Sequence, residues 1–293
     1  FPGSHPLAVG PLGYNGSKAA MQLISKADVV LALGTRLNPF STLPGYGIDY
    51  WPKNANIIQV DMNPDRIGLT KKVTVGIAGD AKQVAKQIFD KLSSNAGDSG
   101  REDRKNLIHQ TKSAWLQTLT SLDHEDDDPG TVWNKEARER DKDRMSPRQA
   151  WRAIQAAMPE DAIISSDIGN NCAIGNAYPT FEKPRKYLAP GLFGPCGYGF
   201  PSILGAKIGC PDTPVIGFAG DGAFGISMNE MSSCAREEWP AITMVIFRNY
   251  QWGAEKRNSI LWFDDNFVGT ELDPELSFAK VANACGLKGV TVK

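Results

Sequence analysis

Short apolar runs alternate along this chain with stretches whose apolar residues recur every three or four positions. Asp28-Val29-Val30-Leu31-Ala32-Leu33-Gly34 is a compact apolar run closed by glycine, the pattern of a strand buried on both faces of a parallel sheet. A helical stretch around Ser17 to Ser25 precedes it. A second run, Ile57 to Asp61, ends at the turn signal Asn63-Pro64. Asp80 is placed to cap a helix whose Val84, Ala85, Ile88, Phe89 and Leu92 share one face. Strands alternating with helices predict a parallel α/β sheet.

The character changes near Ser93. Asn95 to Gly100 reads as a loop, and Glu125-Asp126-Asp127-Asp128-Pro129-Gly130 is a solvated acidic run ending in a turn; one helix is expected between them, near Arg104 to Leu119. Ser146 at the N-cap with Pro147 at the first helical position restarts order, in a helix carrying Ala150, Ile154 and Ala157 on one face. Further strands are expected at 162–166, 214–219 and 242–247, with helices after Pro201 and after Gly225. The fold class is therefore α/β, with two parallel-sheet, Rossmann-like domains: 1–95, a linker over 96–145, and 146–293. The chain opens at Phe1 without Met and stops at Thr291-Val292-Lys293 in a strand-like stretch, so both domains are expected to be cut at their outer ends.

Bulk composition narrows the function classes. Of 293 residues, 32 are basic and 33 acidic, a net charge of -1, so no whole-chain field favours nucleic acid or an anionic membrane. No apolar run reaches the roughly 20 residues of a membrane span, and no leader opens the chain; a cytoplasmic protein is expected. The five cysteines, 172, 196, 210, 234 and 285, are dispersed without metal spacing. A P-loop is absent, as is a G-x-S-x-G elbow, and His5, His109 and His124 fall in a turn, a helix and the acidic run, which leaves a Ser-His-Asp hydrolase unsupported.

Gly220-Asp221-Gly222 is the sharpest feature. It closes an apolar strand and is followed by Ala223 and a helix containing Asn229, Met231 and Ala235. Loops at the carboxyl ends of parallel strands are where open α/β sheets bind ligands. The glycines let backbone amides approach a phosphate, and the following helix N-terminus favours an anion. The Asp221 carboxylate would repel that anion unless a cation sits between, and Mg²⁺ suits the place because it takes few protein oxygens and completes its shell with phosphate and water. The next strand ends at Phe247-Arg248-Asn249-Tyr250-Gln251-Trp252-Gly253, where the Asn249 amide oxygen and the Gln251 backbone carbonyl are candidate further ligands.

Gly-Asp-Gly followed by an Asn after a helix and a strand resembles the signature of thiamine-diphosphate (ThDP) enzymes of the acetolactate synthase-like superfamily. Arg248 stands where the commoner form has a first Asn. Gly194-Pro195-Cys196-Gly197-Tyr198-Gly199-Phe200-Pro201 is similar to that family's turn around the aminopyrimidine; the resemblance implies that Gly194 offers a carbonyl to the 4'-amino group and that Cys196 wedges beneath the cofactor. Asp167-Ile168-Gly169-Asn170-Asn171, after the strand at 162–166, resembles the loop whose amides and side chains touch the diphosphate, which implies cofactor contacts at Gly169, Asn170 and Asn171. The resemblance thus implies ThDP and Mg²⁺ as cofactors, metal ligands Asp221, Asn249 and Gln251, and cofactor contacts at Gly220, Gly222, Ala223, Trp252 and Gly253 as well.

Within that superfamily, Ser4-His5-Pro6-Leu7, Gly10-Pro11-Leu12-Gly13-Tyr14, Leu31 to Arg36, Tyr46 to Pro52, His124 to Thr131 and Gln251-Trp252-Gly253-Ala254-Glu255-Lys256 are similar to the sulfoacetaldehyde acetyltransferases. This implies an acyl transfer from sulfoacetaldehyde to phosphate through 2-acetyl-ThDP, releasing sulfite and acetyl phosphate, in sulfonate or taurine breakdown. The alternative is a carboligase or decarboxylase of the acetolactate synthase type. Two substrate anions need cationic holders, for which Lys256 and Arg257 are candidates, with Arg36 and Arg185 behind them. The resemblance further implies an N-terminal pyrimidine-binding domain, not contained in this chain, that carries the cofactor-activating Glu. It implies a homodimer or homotetramer with shared sites, and an inactive isolated fragment.

Overall fold

A computed structural model describes residues 2–13, 16–45, 47–93, 100–124, 145–191, 193–236 and 239–292. The loop expected at 95–100, apart from Gly100, the acidic run at 125–130, Tyr14 and Tyr46 lie outside the described residues. The chain divides into two compact units, His5–Ser121 and Leu122–Lys293, the second joined by Phe1–Ser4.

In the unit 5–121, helix α1 (Lys18–Ile24) starts at Ser17, whose side chain accepts from the Ala20 N–H. Strands β1 (Val29–Leu33), β2 (Asn56–Asp61) and β3 (Val75–Ala78) form a parallel sheet in that order. Helices α2 (Ala81–Ser93) and α3 (Arg101–His124) follow, α3 spanning the helix expected at 104–119. Asp80 does cap α2, its Oδ1 accepting from Gln83 N at 2.9 Å.

Two expectations about burial fail here. Among the described residues β1 pairs with β2 alone, and its Val29, Leu31 and Leu33 are 39–50% exposed: an apolar run identifies a strand, not its place in the sheet. On α2, Val84, Ala85 and Ile88 are half-buried while Phe89 and Leu92 are exposed, because a three-stranded sheet covers only part of the stripe. β3 was not anticipated; Gly76 interrupts its pattern, and a Cβ there would stand 2.5 Å from Ile67 Cγ2, so close packing of the 64–68 turn, not strand propensity, selects glycine.

In the second unit, α4 (Pro147–Ala157) opens with a full capping box between Ser146 and Gln149. Then come β4 (Ile163–Ser166), α5 (Asn170–Ala177), β5 (Tyr187–Leu188), α6 (Gly199–Gly209), β6 (Val215–Gly220), α7 (Asp221–Ser227), α8 (Met231–Cys234), β7 (Thr243–Phe247), α9 (Gly253–Trp262) and α10 (Phe278–Ala284). The four strands are parallel in the order β5-β4-β6-β7. One face is filled by Trp151, Ile164 and Phe218, with the Trp151 and Phe218 rings tilted by 32° and their centres 4.2 Å apart. The other is filled by Phe200, Ile203, Leu204, Phe224, Met231 and Phe278. Each large apolar side chain buried in this way stabilises the fold by about 1.5–3 kcal/mol.

The helices begin earlier than the sequence suggested: α6 starts at Gly199, and α7 takes Asp221 itself as its first residue. Thr291-Val292, expected to be strand-like, make no strand pairing among the described residues. The strand order fixes where a ligand belongs. β4 leads to β5 on one side, and the chain then returns to place β6 on the other, so the carboxyl ends of β4 and β6 flank a topological switch point, the crevice in which doubly wound sheets bind ligands.

Candidate functional site

Two aspartates leave the sheet at this switch point, Asp167 after β4 and Asp221 after β6, and they are treated differently. Asp167 is fully buried. Its Oδ1 accepts from Ile168 N at 2.8 Å and Gly197 N at 3.0 Å, and its Oδ2 from Gly199 N at 2.7 Å. Burial pushes its carboxyl above the usual range, against the pull of these amides. Asp221, 4% exposed, receives two N–H groups, Gly222 at 3.1 Å on Oδ1 and Tyr250 at 2.7 Å on Oδ2. Burial raises its carboxyl as well, so an opposite charge beside it would stabilise the ionised form.

The side of Asp221 left open faces Asn249, brought there because Gly220 pairs with Phe247 in the sheet. The Asn249 amide can lie either way up. In one orientation its nitrogen donates to Asp221 Oδ1 at 3.2 Å and to the Gln251 carbonyl at 2.9 Å. In the other its oxygen faces both, and only the Gln251 N–H, at 3.3 Å, donates to it. The first orientation satisfies the amide without a ligand; the second sets the Asn249 oxygen 3.2 Å from Asp221 Oδ1 and 2.9 Å from the Gln251 carbonyl, an arrangement of acceptors that calls for a cation and whose two separations are close to the edge of an octahedron of Mg–O bonds, about 3 Å. A hard cation fits this donor set, one carboxylate, one amide and one carbonyl, which holds a single acidic side chain; no group of three His, Cys, Asp or Glu residues able to hold a metal occurs among the described residues.

The glycines around this point are there for close approach. A Cβ on Gly222 would stand 2.8–3.0 Å from the Trp252 ring, which therefore lies against that backbone. One on Gly253 would meet the amide nitrogens of Asn249 and Asn170 at 2.8 and 3.0 Å, so the loop after β4 and the loop after β7 close on the same spot. Gly169, with φ +129°, is the N-cap of α5 and lines the same crevice as Asn170 and Asn171.

Every predicted cofactor contact except Gly194 lines one cavity of about 240 Å³. Gly194 sits in the adjoining turn at φ +72°. Cys196 lines the cavity, its thiol pushed up by burial and by the carboxylates of Asp167 and Glu255; a neutral thiol there packs and does not act as a nucleophile. Within this unit the cation candidates do not join the group. Lys256 pairs with Glu271 at 2.5 Å and lies over the Phe267 ring, and Arg257 and Arg185 are exposed; Arg36 is part of the unit 5–121. Neither Lys256 nor Arg257 lines the cavity.

Sequence reasoning missed Glu255 and Trp151 as lining residues of the cavity, Trp151 because its helix was read by the face of Ala150, Ile154 and Ala157. For Asp167 it supplied a place in the loop after β4 but not the inward direction of the carboxylate.

Comparison with known proteins agrees with the geometry. Residues 1–88 match the family model described as thiamine pyrophosphate enzyme, central domain, and residues 167–293 the one described as thiamine pyrophosphate enzyme, C-terminal TPP binding domain. Over its whole length the chain is 81% identical to a probable sulfoacetaldehyde acetyltransferase of Rhizobium meliloti and 75% identical to a sulfoacetaldehyde acetyltransferase of Roseovarius nubinhibens, covering 49% of each. A probable acetolactate synthase large subunit of Methanococcus aeolicus is 29% identical over 97% of the chain and 46% of that protein. The chain thus spans about half the length of the curated relatives it matches. It belongs to the thiamine pyrophosphate enzyme family.

Proposed function

We propose that the full-length protein is a ThDP- and Mg²⁺-dependent acetyltransferase that converts sulfoacetaldehyde and phosphate into acetyl phosphate and sulfite. The observation that carries the cofactor reading is the convergence of Asp221 Oδ1, the Asn249 amide and the Gln251 carbonyl beside a helix N-terminus at the switch point. The substrate follows from the names of relatives 49–81% identical over the chain's full length.

In this reading Asp221, Asn249 and the Gln251 carbonyl hold Mg²⁺, and the amides at the start of α5 and α7 receive the diphosphate. Bound ThDP supplies a nucleophilic carbon and an electron sink. The chain's own residues orient and enclose: Trp252, seated on Gly222, walls the cavity, and Cys196 and the Gly194 carbonyl would meet the cofactor's ring end. Lys256 and Arg257 hold the sulfonate or phosphate, Lys256 by exchanging Glu271 for the incoming anion. The division into 1–95, a linker over 96–145, and 146–293 belongs to the same reading, as do a cytoplasmic homodimer or homotetramer and a role in sulfonate breakdown.

Incubating the full-length protein with sulfoacetaldehyde, phosphate, ThDP and Mg²⁺ tests this. Stoichiometric sulfite and acetyl phosphate are expected. Acetolactate from a 2-oxo acid, with no sulfite from sulfoacetaldehyde, would replace the proposal by the carboligase alternative.

A further inference from the structure

We propose that Asp167 is a positioning residue that sets the shape of the turn over 194–199, and through it the seat of the cofactor's ring end, without touching the cofactor. This rests on the ThDP reading above.

Asp167 sits immediately after β4, and its backbone is pinned there: its N–H donates to Phe218 O at 2.7 Å, and its carbonyl accepts from the Asn171 side chain at 3.2 Å. From that fixed base the side chain reaches another segment of chain. Two of its three acceptor contacts, Gly197 N and Gly199 N, belong to the turn that carries Gly194 and Cys196 and leads into α6. Gly199 fits tightly against it, for a Cβ there would lie 3.0 Å from Asp167 Cβ and 3.1 Å from Oδ2. Gly197 is constrained on its other side, since a Cβ would stand 2.8 Å from Ile226 Cγ2. The turn is therefore gripped between the carboxylate and α7, with Gly194 and Gly197 both at positive φ.

A structural reason for a buried carboxylate at this point is the number of amide donors that need an acceptor in one small volume. A neutral amide cannot replace it, because its NH₂ would face at least one of these N–H donors. The contacts are also lopsided: the side chain holds the 194–199 turn by two bonds and the diphosphate-side loop only by its own neighbour Ile168. Loss of the carboxylate should loosen the ring seat more than the diphosphate seat.

The test compares two ligands by calorimetry on the full-length protein with Mg²⁺: ThDP, which needs both ends of the site, and inorganic diphosphate, which needs one. Asp167→Asn is expected to weaken ThDP at least about tenfold while leaving diphosphate within about twofold. Gly199→Ala, which crowds the same carboxylate, should give the same selective loss, and the double variant should be little worse than either single one; Gly199→Ala carries the test if Asp167→Asn does not fold. Unchanged ThDP affinity, or equal weakening of both ligands, would overturn the proposal. Asp221→Asn is the control, expected to weaken both. If it weakens neither, the underlying metal and diphosphate reading fails, and the selective role of Asp167 falls with it.

Discussion

Asp221 Oδ2 accepts the backbone N–H of Tyr250 at 2.7 Å, although Tyr250 is held at φ +60°, a left-handed conformation disfavoured for a residue with a bulky side chain. The strain, of order 1 kcal/mol, is offset by that bond and by the Arg248 guanidinium lying 4.4 Å over the Tyr250 ring while its Nη2 donates to Pro274 O. The kink turns Asn249 and the Gln251 carbonyl back toward Asp221. Arg248, in the place of the family's usual first Asn, thus supports the loop's shape and leaves the Asn249 donor in place.

Asp221→Asn keeps the side chain's volume and removes its charge. Mg²⁺-dependent ThDP affinity is expected to fall about 100-fold or more, on the scale of losing a ligand rather than an outer contact. The metal-free fold should lose a little stability, about 1–3 kcal/mol, since the new NH₂ must face either the Gly222 or the Tyr250 N–H that the carboxylate now accepts. Calorimetric ThDP titration and thermal melting of the apoprotein measure the two effects separately.

Gly222→Ala forces a methyl group to within 3 Å of the Trp252 ring. Overpacking of this kind costs about 1–3 kcal/mol. A shifted Trp252 fluorescence spectrum in the apoprotein, together with ThDP binding weakened about tenfold, is expected; an unchanged spectrum would mean that the ring does not rest on this backbone.

Lys256 and Glu271 should act in opposite directions on substrate affinity. Lys256→Ala is expected to raise the KM for phosphate or sulfoacetaldehyde several-fold with less change in kcat. Glu271→Gln, by releasing the ammonium from its 2.5 Å partner, should lower the same constant. KM values unchanged in both variants would remove Lys256 as an anion holder.

Asp167 also predicts a pH dependence. Burial raises its carboxyl in the folded state, so the folded chain keeps a proton that the unfolded chain has already lost. Its contribution is fully present below the unfolded carboxylate value of about 4 and declines as pH rises through the folded value. Melting temperatures of wild type and Asp167→Asn at stepped pH should therefore converge or cross above pH 4 as this term is lost from the wild type; a difference independent of pH would contradict it.

The sequence located the switch-point loops because strands that end in glycine with an acid beside it are local patterns, and local patterns survive without tertiary information. Gly220-Asp221-Gly222 and the Asn249 loop were found in this way, and the sheet register between β6 and β7 then sets them side by side. What local pattern could not supply was direction. Asp167 looked like a member of a phosphate loop, yet its carboxylate faces inward to three amides. Lys256 looked free, yet a residue 15 positions later neutralises it. The exposure of β1 and of Phe89 escaped for the same reason, since burial depends on neighbours that periodicity does not name.

The central claim is that Asp221, Asn249 and the Gln251 carbonyl hold the divalent cation through which this chain anchors its cofactor. Titrating ThDP into metal-stripped full-length protein, with and without Mg²⁺, tests it most directly. The account predicts binding that requires Mg²⁺ and vanishes in Asp221→Asn; ThDP bound equally well without a divalent cation, or unaffected by that substitution, would contradict it.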